Sequence, residues 1–377
     1  MLGNHIHMIN KYTFSLALAL WLTTHGFFSS AAQTQSNLAR SAQESGQETQ
    51  AGGAANRPLQ NGETRWSFRT GGSVYSSVAV AGSMVYAGSH NDYLYAIDSG
   101  TGRERWRFRT GGAVISAPTV AEGVVYFGSR DGYLYAIDAA TGQRRWRFST
   151  TYLAVATSPV VADGAVFFGG ADGNLYAVDS RTGQQRWRLA SVYGGPSSAF
   201  VANGTVYFGS GRGLHAVDAR TGQMRWEYRT ERAVIAAPFV NADTVYFGSL
   251  DGNLYALNAR DGSERWRFQT GGGVHVSPSV AGQVVYAGSL DGHLYALNAV
   301  TGQEIWRHRS PHGITSSPIA RDDLVYFGST RGLRAADTQT GTERWQYSLD
   351  RVVTSTPFIV GETIYFGAWD GSVHAVR

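Results

Sequence analysis

The chain has 377 residues, 43% of them apolar, which is enough for a large buried core. Glycine is abundant at 47 residues and aromatics make up 12%, while only 16% of residues are charged, a balance that suits strands and tight turns and excludes a coiled coil. The absence of cysteine excludes disulfides, thiolate metal sites, a cysteine nucleophile and a lipidated N-terminal cysteine, and a net charge of +4 is too small a basic excess to point to nucleic acid.

Residues 1–11 end on Lys11, the one lysine, and carry no acid. An apolar run from Tyr12 to Leu22 follows, then the small residues Ser30, Ala31 and Ala32. This three-part pattern predicts a secretory signal over 1–32 and export to the periplasm or extracellular space. The apolar run is shorter than the ~20 residues a spanning helix needs, and no other stretch is apolar enough, so the mature chain is expected to have no membrane span. Residues 33–60 are polar, small and aperiodic and read as a disordered leader.

From residue 61 the chain repeats. Eight tryptophans, Trp66, Trp106, Trp146, Trp187, Trp226, Trp266, Trp306 and Trp345, are spaced 39 to 41 residues apart. One unit contains Ala113–Val120, Val124–Ser129, Tyr133–Asp138 and Gln143–Thr150, each a short run rich in β-branched and aromatic residues. Glu122-Gly123, Asp131-Gly132 and Thr141-Gly142 supply the turns between them. A four-stranded antiparallel unit of about 40 residues has the length of a propeller blade.

Seven units carry the contiguous pattern Ala-x-(Asp/Asn)-x-x-(Thr/Asp)-Gly-x-x-x-Trp, from Ala96–Trp106 to Ala335–Trp345. The eighth copy is split: Ala375 stands at its first position, and Asn61-Gly62 with Trp66 supplies its second half. The strand over about 62–69 is therefore predicted to complete a blade whose other strands come from 352–377. The prediction is an all-β, eight-bladed propeller over 61–377, closed without a free edge between blades.

This pattern resembles the tryptophan-docking motif of the quinoprotein (PQQ-like) β-propellers, and the resemblance covers essentially all of 61–377. It implies that each tryptophan rests on the alanine of its own motif and on a Thr-Gly turn of the next blade. It also implies one of several roles. Large members bind pyrroloquinoline quinone and calcium and oxidise alcohols or sugars; small single-propeller members are BamB-like scaffolds of outer-membrane assembly. Those lipoproteins are tethered through an N-terminal cysteine, which this chain lacks.

The residues favour the scaffold. The uniform spacing leaves no room for the inserted loops that hold the quinone, and most aspartates recur as turn residues. Asp98, Asp138, Asp179, Asp218 and Asp337 occupy one motif position, where Asn258 and Asn298 substitute, as an Asx cap allows and a catalytic carboxylate does not. No catalytic triad, zinc spacing or phosphate loop is present. No catalytic, metal or cofactor-binding residue is assigned, and pyrroloquinoline quinone with calcium, or a carbohydrate, belongs only to the alternative readings. Arginines flanking the tryptophans, Arg105 and Arg107 among them, read as charged outer edges or as a basic perimeter for anionic lipid or polysaccharide.

Departures from the repeat are the better functional signal. Loops joining successive blades carry Tyr152, Tyr193, Glu231, Arg232, His312 and Arg351; turns between second and third strands carry His90, Arg130, Arg212, Arg331 and Trp369. Antiparallel order puts both sets on one face. Aromatic and arginine side chains on one rim suit a protein partner of the envelope. A monomer with a non-catalytic binding role is expected.

Overall fold

The computed structural model describes residues 60–150, 154–190 and 195–377. Eight antiparallel sheets form a ring. Blades 1 to 7 are continuous in sequence, at 79–109, 119–149, 160–190, 200–229, 239–269, 279–309 and 319–348. In each, the four strands lie in chain order from the axis outward, and the first strands of neighbouring blades approach one another.

Turn chemistry sets the hairpins. Asn203 and Gly204 both take positive φ, 49° and 66°, as a tight two-residue hairpin requires. The third and fourth strands pair with a register shift beside the motif alanine, as between Ala96 and Ile97, and this bulge precedes the Asp98 turn.

Blade 8 is composite. Thr64–Arg69 pairs antiparallel with Ser372–Val376, setting Trp66 opposite Ala375, and the sheet continues through Thr363–Gly367 to Phe358–Val360. The predicted eight-bladed ring and its split closure are therefore observed. One strand is unanticipated. Gln60–Asn61 pairs parallel with Trp345 and Gln346, giving blade 7 a fifth strand. Composition placed Gln60 in the leader, because two exposed polar residues carry no strand signal. The signal over 1–32 and the rest of the leader lie outside the described residues.

Among the described residues the core divides into eight clusters, one between each pair of neighbouring blades. Val74, Val85, Phe358 and Tyr365 share the cluster that joins blades 8 and 1. Near the axis, Gly88 leaves room for Val114 of the next blade; an added Cβ would stand 2.6 Å from its side chain.

Candidate binding face

Each motif tryptophan lies on a glycine of the following blade. A Cβ on Gly102 would approach the Trp66 ring to 2.7 Å, and Gly142 stands in the same relation to Trp106. The Trp106 Nε1–H donates to the carbonyl of Ala139 at 3.1 Å, and the Tyr86 hydroxyl donates to that same oxygen at 3.1 Å. Blade 1 thus engages both lone pairs of one blade 2 carbonyl. Ser180 receives the same two bonds from Trp146 and Tyr126.

The motif aspartate has two functions. Asp98 Oδ1 accepts from the backbone N–H and hydroxyl of Thr101 at 2.9 and 2.8 Å, and Oδ2 accepts from Arg105 at 2.7 Å. Arg145–Asp138, Arg186–Asp179, Arg225–Asp218 and Arg344–Asp337 repeat the pair at 2.7 to 3.0 Å. The hydrogen bonds from Arg105 and from Thr101 hold the Asp98 pKa down to about 2. These five arginines are thus each paired with the motif aspartate of their own blade, which accords with the reading of charged outer edges. Blade 6 alone lacks both partners: Asn298 replaces the acid and Ile305 the arginine, and Ile305 is 49% exposed.

The interblade loops and the second turns do share a face. The N–H of Val114 donates to Ser89 at 3.1 Å, and that of Trp369 to Val352 at 3.1 Å. Trp369, His90 and Tyr75 meet here. Tyr75 stands edge-on to Trp369 at 4.9 Å and to His90 at 4.3 Å, and all three are half-buried. The Trp369 indole donates to Thr354 Oγ1 at 3.1 Å. Arg351 is exposed and precedes Val352, so it lies beside this cluster. His312 and Arg331 follow around the rim, tied by a backbone bond from Thr330 to His312 at 3.1 Å. Burial, then Arg334 and Arg331, hold the His312 imidazole below its ordinary pKa.

Not all candidates converge. Arg130 is exposed on blade 2, and Arg232 is exposed in the loop between blades 4 and 5. Tyr152 and Tyr193 lie outside the described residues. No signal in the sequence places Tyr75 between His90 and Trp369. His275, at the equivalent position of blade 6, is 2% exposed. Burial brings its pKa down to about 4 against backbone hydrogen bonds with Gly273 and Ile314.

Below this face lies an axial hollow of about 370 Å³, a volume that includes space open to solvent. Among the described residues its wall is hydroxyl and apolar, with Tyr75, Ser76, Ile115, Ser158, Thr315 and Thr354 among the lining residues and no carboxylate.

The family model of the outer membrane protein assembly factor BamB matches residues 54–193, 189–289 and 251–377. The chain belongs to this family. BamB from Moraxella catarrhalis superposes with a TM-score of 0.74 at 20% identity, over 84% of this chain and 99% of that one. The computationally designed Ika8 protein gives 0.76 at 20% identity, over 83% and 99%. A quinohemoprotein alcohol dehydrogenase from Pseudomonas putida HK5 gives 0.73 at 16% identity, over 84% and 76%. At these identities the likeness is one of fold. No curated protein matches the chain.

Proposed function

We propose that the protein is a non-catalytic binding scaffold, exported to the cell envelope, that holds protein partners through the face carrying Trp369. The observation that supports this most is the Trp369–Tyr75–His90 cluster beside Arg351. The other tryptophans of the ring pack between blades. Trp369 instead stands half-exposed on the rim, held by Thr354 and Tyr75. A fixed aromatic next to an arginine is the kind of anchor protein interfaces use. The description of the family makes outer-membrane protein assembly the specific form of this role.

The test is capture of partners from the native envelope, read by mass spectrometry. Trp369→Ala with Arg351→Ala is expected to lose the captured set while the far-ultraviolet spectrum stays that of the parent. An unchanged set rejects the assignment.

The fold is shared with the quinohemoprotein alcohol dehydrogenase, and that enzyme reading is tested separately. A calcium ion takes oxygen ligands rich in carboxylate, and among the described residues the axial wall offers none. No dye-linked oxidation of alcohols or sugars is expected on adding pyrroloquinoline quinone and calcium; activity would replace the scaffold reading.

A further inference from the structure

Blade 7 departs from the repeat where it meets blade 6. In blades 2, 3, 5 and 6 the second turn carries an aspartate that accepts the hydroxyl of a third-strand tyrosine, as Asp131 does from Tyr135 at 2.7 Å. An aromatic ring of the preceding blade then packs on that tyrosine, Phe108 at 5.4 Å in blade 2 and phenylalanine again in blades 3 and 6, with Tyr228 in its place before blade 5. In blade 7 all three positions change. Arg331 replaces the aspartate, Arg334 replaces the tyrosine, and His308 replaces the phenylalanine.

The replacement buries charge. Arg334 is 8% exposed and donates to Glu343 at 2.6 Å, with His308 3.6 Å from the same carboxylate. Burying an ion pair carries a desolvation penalty, and the Tyr–Asp blades show that the fold does not need it. The buried Arg334 Nε has no hydrogen-bond partner. At the surface above, the exposed Arg331 guanidinium makes no hydrogen bond or ion pair among the described residues, and that of Arg351 donates to the carbonyl of Asp350 at 2.9 Å. The acids of this rim are Glu343, engaged by Arg334, Asp370, engaged by His374 at 3.0 Å, and the exposed Asp350. Among the described residues neither Arg331 nor Arg351 is ion-paired to a carboxylate.

We propose that the rim of blade 7, formed by His312, Arg331 and Arg351 over the buried Arg334, docks an acidic segment of a protein partner. The proposal rests on the partner-binding reading of this face. The guanidinium groups of Arg331 and Arg351, on two separate segments, match carboxylates spread along a chain, since each can bind one bidentately, and His312 adds an imidazole N–H donor beside them. The neighbouring Trp369, held by Thr354 and Tyr75, adds the fixed aromatic anchor that protein interfaces use.

The probe is a fluorescein-labelled hexaglutamate peptide, followed by anisotropy at low and raised salt. Binding that weakens with salt is expected for the parent protein. Arg331→Glu with Arg351→Glu should weaken it about tenfold or more, while Arg181→Glu on the opposite face, an identical change of charge at one site, should not. Absence of binding, equal weakening by Arg181→Glu, or displacement of the peptide by phosphatidylglycerol vesicles but not by unlabelled peptide would overturn it. The envelope capture separates the two failures. If Trp369→Ala removes partners but Arg331→Glu neither alters the captured set nor weakens the peptide, only the acidic-segment assignment falls. If Trp369→Ala leaves the captured set whole, the partner-binding face itself falls.

Discussion

The indole of Trp345 in blade 7 lies on Gly62, so that a Cβ at Gly62 would overlap the ring. This contact joins blade 7 to the segment that completes blade 8, and Gln346 adds a side-chain bond to Asn61 at 3.0 Å. Gly62→Val should therefore destabilise the ring by about 1–3 kcal/mol, as overpacking does. Denaturant titration checks it. The same change at Gly361, whose Cβ would meet nothing, is not a matched control, because Gly361 has a φ of 55° and strains a side chain regardless of space.

The Asp–Arg pairs predict acid sensitivity. The pKa of Asp98 and of Asp138 is brought down to about 2 in the fold, below the unfolded value near 3.9. Their contribution is complete above pH ~4 and is lost as pH falls towards 2. The denaturant midpoint should drop across that interval, and Asp98→Asn with Asp138→Asn should flatten the drop.

Blade 6 offers the converse. Installing the missing pair with Asn298→Asp and Ile305→Arg should raise stability by about 0.2–1 kcal/mol, the range of exposed ion pairs. The double change should exceed the sum of the two single ones, which a double-mutant cycle measures directly.

His275 predicts a second pH effect. Its folded pKa of about 4 lies below the unfolded value near 6.5, so its contribution is whole above pH ~6.5 and declines as pH falls to 4. The slope should approach about 1.4 kcal/mol per pH unit in that window. Thermal unfolding of His275→Asn, followed from neutral pH to pH ~4, should lack this slope.

The sharing of one carbonyl by Tyr86 and Trp106 gives a milder expectation. Tyr86→Phe should cost about 1 kcal/mol by chemical denaturation. Blade 3 already carries Phe167 at this position, and Trp187 there bonds to Ala219 alone.

The propeller was readable in the chain because its determinants are local and repeated: a tryptophan period, turn pairs and the split motif. The rim was only half readable. Trp369 stood out as an extra tryptophan, but its seat between Thr354 and Tyr75 depends on segments from both ends of the ring. The Asp98–Arg105 pairing had a trace in sequence, since the acid and the arginine vanish together in blade 6, yet the bulge that brings them into reach is a matter of geometry. Gln60–Asn61 left no trace, because its pairing uses only backbone and one amide.

The composite blade also orders events in time. Residues 64–69 leave the ribosome long before 372–376, the strand they need. Through synthesis, that early segment waits with an unsatisfied flank, and the wheel stays open until 372–376 has been made. A prematurely terminated chain cannot finish blade 8. It keeps two raw sheet edges open to proteases and to other nascent chains, so closure of the circle depends on both of these distant segments being present.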